Sequence, residues 1–168
     1  MLIFDELLDI KRFRERKAET VVIQARGEMV LKHQEKDRAE MALATWREEA
    51  IERERALYAD LCARVVRLRD IENVQQEVTG FRHVENTREE ALSLAEKQLV
   101  EAREQMERAS SALVAANRNT EKFIELADDY AAELRSESER KEELEMEEAA
   151  SVAQQREALE EWEARQDD

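Results

Sequence analysis

The chain has no proline, only two glycines and a single cysteine in 168 residues, and aromatic residues make up 5% of it. So few large side chains would leave a compact globule of this length without an adequate core. Cys62 cannot form an internal disulfide, which is compatible with a reducing compartment. No linker rich in Pro, Gly and Ser and no helical repeat occurs, so we expect one elongated domain over residues 1–168.

Motifs that carry catalysis or bind metals are also missing. We find no CxxC, no HExxH, no Gly-rich phosphate loop and no nucleophile elbow. Acidic runs such as Asp128-Asp129 and Glu142–Glu148 are more typical of a solvated helix face than of a metal or acid–base site. We therefore predict no enzymatic activity, no metal and no cofactor; divalent metal binding by the acidic cluster would contradict this.

Basic residues are scarce in the second half of the chain. Residues 1–84 carry 16 basic and 17 acidic side chains, whereas residues 85–168 carry 11 and 25, so most of the net charge of −15 lies there. We expect no binding to nucleic acid or anionic lipid, since both need clustered Lys and Arg, whereas a basic protein partner is compatible. The start MLIFDELLDI is interrupted by acids and lacks a preceding basic region, and no run approaches a membrane span, so we expect a cytoplasmic protein without membrane insertion.

The sequence is rich in charged residues, which make up 41% of it, and its apolar residues recur at regular spacing. From Leu92 to Leu134, apolar residues recur at alternating steps of three and four, which predicts a left-handed coiled coil. The same pattern is less regular in the first half. The predicted seam contains Leu43, Trp46, Leu57, Leu61, Leu68, Leu92, Leu99, Met106, Leu113, Phe123, Tyr130 and Leu134.

A turn is predicted near residues 80–86. Gly80 suits the left-handed position that often follows a helix, and Thr87 with Glu90 matches the capping box T-x-x-E at a helix start. We therefore predict an all-α fold in which helix 1 (about 3–79) and helix 2 (about 87–165) form an antiparallel left-handed coiled-coil hairpin. The alternative is one continuous helix that dimerises in parallel, whereas the hairpin should be a monomer.

Folding about the middle of this turn makes specific pairs. Leu43 should face Phe123, Trp46 should face Thr120, and Phe4 should face Trp162. Beyond about Arg135 the acidic second arm lacks basic residues opposite it, so we expect this end to fray or to be ordered only by a basic partner.

The start of helix 1 is a candidate partner-binding tip. Its apolar residues cover more of the helix circumference than one partner helix can bury, and a basic run follows them. A sticky terminus sealed by Trp162 is the alternative reading. The candidate partner-binding residues are Leu7, Leu8, Ile10, Arg12, Phe13 and Arg16.

Four short motifs resemble a known family. They are LLDIKRFRERKAE near the start, TWREE at 45–49, LRDIE at 68–72 and NRNTEKFIELADDYAAE at 117–133. Together they are similar to the YscO family of type III secretion stalk proteins, which are relatives of the flagellar protein FliJ and form cytosolic antiparallel coiled-coil hairpins.

The resemblance implies a non-catalytic central stalk in the bacterial cytoplasm, at the base of a secretion apparatus. Its paired termini would enter the central hole of the hexameric secretion ATPase, and it would also contact the export gate and the chaperones of translocator subunits. By position, the candidate partner-binding residues fall at the tip that would meet the ATPase. The alternative function is a generic coiled-coil spacer or tether without an ATPase partner.

Overall fold

The chain forms two long helices in a computed structural model that describes residues 2–164, with side chains described for residues 3–162. Helix α1 spans Leu2–Ala63 (62 residues) and helix α2 spans Leu68–Ala164 (97 residues), and no strand occurs among the described residues. The predicted all-α hairpin of two helices is confirmed. Its left-handed winding stays a prediction.

The turn does not lie where the sequence predicted it. The helices are joined at residues 64–67, and residues 80–86 lie inside α2. Gly80 has no positive φ, and the Thr87 hydroxyl donates to the His83 carbonyl at 3.0 Å instead of capping a helix start. The predicted bounds of both helices and the roles of Gly80, Thr87 and Glu90 are therefore wrong. A helix tolerates one glycine at a cost of about 1 kcal/mol, and Val78 and Ala95 keep the buried seam of α2 continuous across the region.

The start of α2 is fixed by Asp70. Its carboxylate accepts a hydrogen bond from the Arg67 backbone N–H at 2.9 Å, and its own N–H donates to the Arg67 carbonyl at 2.9 Å. The side chain of a residue at the third helical position thus reaches back to the residue before the helix, which is half of a capping box. Arg64 lies 3.2 Å from Asp60 and 3.9 Å from Asp70, so it links the end of α1 to the start of α2.

Residue contacts divide the chain into two units. We call Glu15–Ala115 the turn unit, and Met1–Arg14 with Ala116–Asp168 the terminal unit. The single-domain organisation stays a prediction. The buried apolar residues of the turn unit are mostly small or β-branched, which lets the backbones of two helices approach closely; they are Val22, Leu43, Trp46, Val74, Val78, Ala95, Leu99, Ala102 and Ala109.

Trp46 sets the pairing of the helices in the turn unit. Its indole N–H donates to the Phe81 carbonyl at 3.2 Å, and the two rings meet edge to face at 5.9 Å between centroids. Arg53 and Arg88 lie over the indole at 5.5 and 5.3 Å, and Arg88 also donates to the Ala42 carbonyl at 2.9 Å. These contacts replace the predicted pairing of Trp46 with Thr120.

Ion pairs on the surface agree with this register. The Arg47 guanidinium binds Glu85 at 2.7 Å and also contacts Glu89, both on α2. Because residue 47 lies beside residues 85 and 89, the predicted pairing of Leu43 with Phe123 is also wrong. Both errors have one physical cause: the turn lies nearer the start of the chain than two equal arms would place it.

The polar stretch around residues 32–37 does not interrupt α1. Lys32 and Lys36 are half-buried and pair with Glu35 at 2.9 Å and with Glu40 on the same helix. The hydrogen bond to Glu35 raises the pKa of Lys32 above its ordinary value. The lysines thus stay charged while their alkyl stems occupy positions where the seam pattern has apolar side chains.

Phe4 anchors the start of α1 in the terminal unit. Its ring lies 5.7 Å from that of Phe123 and 5.1 Å from that of Tyr130. Thr120 is buried here, with its hydroxyl bonded to the Ala116 carbonyl at 3.1 Å. Trp162, which the sequence predicted to face Phe4, is instead 58% exposed.

Candidate partner-binding surface

One face of the first turns of α1 is apolar and exposed. Phe4 and Leu8 are half-buried. Ile3, Leu7, Ile10 and Phe13 remain exposed at 72%, 41%, 49% and 60%, and we call these four residues the terminal strip. Steps of four and three along a helix place Ile3, Leu7 and Ile10 on one side, and Phe13 follows three residues later. The strip is therefore a continuous apolar surface rather than four scattered side chains.

Basic side chains adjoin the strip. Arg14 is exposed four residues after Ile10, on the side of the helix that carries the strip. Arg12 is exposed on another side of the same turn, and Lys11 is half-buried on the side that carries Phe4 and Leu8. Such a combination of large apolar side chains and arginines is typical of the energetically important residues of protein interfaces. It could bind an apolar groove that carries acidic residues at its rim.

The structure separates the six predicted partner-binding residues into three groups. Leu7, Ile10, Arg12 and Phe13 are exposed in the terminal unit. Leu8 is half-buried, which leaves less of it available to a partner. Arg16 is exposed but belongs to the turn unit.

The predicted seam residues vary in burial. Leu43, Trp46 and Leu99 are buried. Leu57, Leu61, Leu92, Met106, Leu113 and Phe123 are half-buried. Leu68, Tyr130 and Leu134 are more exposed than their spacing predicted, although Tyr130 still contacts Phe4. Leu68 is the first residue of α2 at the turn, and Leu134 lies in the part of α2 that no buried residue follows.

Polar groups in the described part of the chain do not converge on a chemical site. No group of three or more His, Cys, Asp and Glu side chains is placed there to hold a metal ion. His33 pairs with Asp37 at 3.0 Å on the same exposed helix face, and Cys62 is an exposed free thiol. Neither described helix contains an apolar stretch long enough to cross a membrane.

The acidic end of α2, which the sequence predicts to fray or to be ordered only by a basic partner, is helical and forms a second exposed surface. Every described side chain from Ala132 to Trp162 is exposed, and we call this part of α2 the exposed segment. The predicted hairpin with equal arms places this segment opposite α1, where too few basic residues face its acids. Its own signal was the acidic run Glu142–Glu148, which breaks the apolar seam that extends from Leu92.

Comparison with known proteins identifies a family for this architecture. A family model described as type III secretion protein YscO matches residues 4–152. A crystal structure of type III secretion protein YscO from Vibrio parahaemolyticus is similar with a TM-score of 0.80 and 24% sequence identity, covering 88% of this chain and 92% of that one. No curated protein matches. The family match extends over both helices and includes Leu7, Ile10 and Phe13 of the terminal strip.

Proposed function

This chain belongs to the YscO family of type III secretion proteins, and on that premise we propose that it is a non-catalytic central stalk that couples the secretion ATPase to export. The terminal strip binds the ATPase hexamer in this proposal. The export gate and the chaperones of translocator subunits are its further partners, and its place is the bacterial cytoplasm at the base of the apparatus.

The observation that carries the proposal is the exposure of the terminal strip. Phe4 occupies the seam against Phe123 and Tyr130, so the same turns of helix have their inner face filled and still present Leu7, Ile10 and Phe13 outward. Large apolar side chains in such an arrangement gain free energy when a partner covers them, at roughly 25 cal/mol per Å². Arg14, which is exposed four residues after Ile10 on the same side of the helix, favours a partner with acidic groups.

The helices themselves suit a mechanical role. Helix α2 continues for 97 residues without a break in its helical conformation. A continuous helix resists compression along its axis because every interior turn is hydrogen-bonded to the next. Displacement of one end by an ATPase could therefore be passed along the helix without any chemistry in this chain.

The test is binding to the cognate secretion ATPase. We expect the protein to co-purify with the ATPase and to increase its hydrolysis rate or hexamer formation. The double variant Leu7→Asp with Phe13→Asp should lose both effects, because two charges would have to be buried at the interface.

A matched control makes the same type of substitution at exposed apolar positions outside the terminal strip. Ile23→Asp with Leu31→Asp alters two exposed apolar residues of α1 in the turn unit and should leave ATPase binding unchanged. Circular dichroism of both variants should retain the helical signal. Equal loss of ATPase binding in the two variants would contradict the proposal. So would an ATPase that neither binds the unmodified protein nor responds to it, and this result would favour a generic spacer or tether.

A further inference from the structure

In the exposed segment, the side of α2 that is half-buried further towards the turn is no longer covered by other residues. Phe123 and Ala127 are half-buried, whereas Leu134 and all described residues after it are exposed. At 1.5 Å rise per residue, the 31 residues from Ala132 to Trp162 form roughly 46 Å of exposed helix.

Apolar and charged residues alternate along one face of this segment. From Ala127, intervals of seven, seven, four, seven and seven residues lead to Leu134, Lys141, Glu145, Val152 and Leu159. Intervals of seven are close to two helical turns, so these residues lie along one side of α2. The face is therefore apolar at Leu134, charged around Glu145 and apolar again at Val152 and Leu159.

The charge of the segment limits which partner can cover this face. Residues 132–162 carry eleven acidic and four basic side chains. Glu139, Glu143 and Glu147 follow one another at spacings of four, which places like charges side by side along the helix and destabilises it by a few tenths of a kcal/mol per pair. A basic partner would remove this repulsion, whereas a second copy of the same segment would double it.

We propose that the exposed segment is a docking surface for a basic amphipathic helix of another protein. Lysine or arginine side chains of that helix lie opposite Glu145 and Glu148, and its apolar side chains pack on Val152 and Leu159. The surface is distinct from the terminal strip, and the inference does not depend on the proposed binding of the ATPase.

A designed peptide tests the proposal directly on the full-length chain. The probe is a fluorescein-labelled 28-residue helix with lysines positioned opposite Glu145 and Glu148, and leucines opposite Val152 and Leu159. A second peptide has the same composition, with the lysines and leucines distributed around the helix. Fluorescence anisotropy at fixed salt measures both affinities.

We expect the first peptide, whose lysines and leucines match the exposed segment, to bind at least tenfold more tightly than the second. Val152→Asp with Leu159→Asp, and separately Glu145→Lys with Glu148→Lys, should each weaken binding at least tenfold. The control Leu94→Asp with Val114→Asp changes exposed apolar residues of α2 in the turn unit and should leave affinity unchanged. Leu7→Asp with Phe13→Asp should also leave it unchanged, which separates this surface from the terminal strip.

Three results would overturn the inference. Equal affinity for the two peptides would mean that the segment attracts basic chains only by its net charge. Equal loss in the Leu94/Val114 variant would place the contact elsewhere. Sedimentation of the chain alone at twice its monomer mass, abolished by Val152→Asp with Leu159→Asp, would identify a second copy as the occupant.

Discussion

Replacement of Gly80 by alanine distinguishes the observed fold from the hairpin that the sequence predicts. Gly80 lies inside α2, has no positive φ, and a methyl group added to it would meet no atom within 4 Å. Alanine should therefore be tolerated without strain. At a turn near residues 80–86, the same glycine would hold a left-handed conformation that alanine adopts only at a cost of roughly 1–2 kcal/mol.

The two arrangements predict effects of opposite sign. In a helix interior, glycine is about 1 kcal/mol less favourable than alanine, so Gly80→Ala should raise the free energy of unfolding by about that amount. For a chain of this length, 1 kcal/mol corresponds to roughly 2–4 °C in melting temperature. Thr87→Ala adds an independent measurement: it should be neutral or stabilise by up to about 0.7 kcal/mol inside a helix, whereas loss of an N-cap threonine would cost about 1 kcal/mol.

The assay is thermal and urea unfolding followed by circular dichroism at 222 nm. Gly27→Ala is the matched control, because Gly27 lies inside α1 with equal space around its Cα and was never a candidate for a turn. All three variants should melt at or above the temperature of the unmodified chain. A melting temperature lowered by Gly80→Ala and by Thr87→Ala, with Gly27→Ala stabilising, would refute the observed position of the turn.

Further predictions follow from the contacts in each unit. Trp46→Ala should lower the free energy of unfolding by roughly 3–5 kcal/mol, as is usual for a buried tryptophan, while Trp162→Ala should change it by less than about 0.5 kcal/mol in the same urea titration. Arg47→Ala should change the free energy of unfolding little, because solvent screens the partly exposed Arg47–Glu85 pair. Spin labels at positions 47 and 85 should lie roughly 10–20 Å apart when the distance is measured by double electron–electron resonance. A separation of roughly 50 Å, the length of helix between residue 47 and a turn at 80, would contradict this pairing.

The regular part of the seam could be predicted from the sequence, because coiled-coil packing depends on spacing that any single chain displays. Leu99 and Ala102 are buried, as the alternating spacing of three and four residues between apolar positions predicts. The turn could not be located in the same way. Residues 64–67 read Arg-Val-Val-Arg, with neither glycine nor proline, and the only local signal is Asp70, which caps the start of α2 from within the helix.

The glycine was misread because a helix end requires more than one favourable residue. Gly80 and the T-x-x-E sequence each match a statistical preference of helix ends, worth about 1 kcal/mol. Val74, Val78 and Ala95 lie on the buried seam around them, and a helix end at residue 80 would interrupt this seam and the register in which the three residues are packed. Since burial of a single valine is worth about 1.5–3 kcal/mol, the seam outweighs the local preference. Local signals and long-range packing disagree here, and packing determines the result.

The position of the turn also determines which surfaces are available for binding. With equal arms, the terminal strip would lie next to Trp162, and the acidic end of the chain would be covered by α1. With the turn at residues 64–67, Phe4 instead packs on Phe123 and Tyr130, and every described side chain of α2 from Ala132 to Trp162 is exposed. The terminal unit therefore presents two chemically different surfaces, an apolar strip beside arginines on α1 and a strongly acidic helix face on α2. One partner cannot complement both signs of charge with the same face, so substitutions in the two surfaces should impair separable interactions.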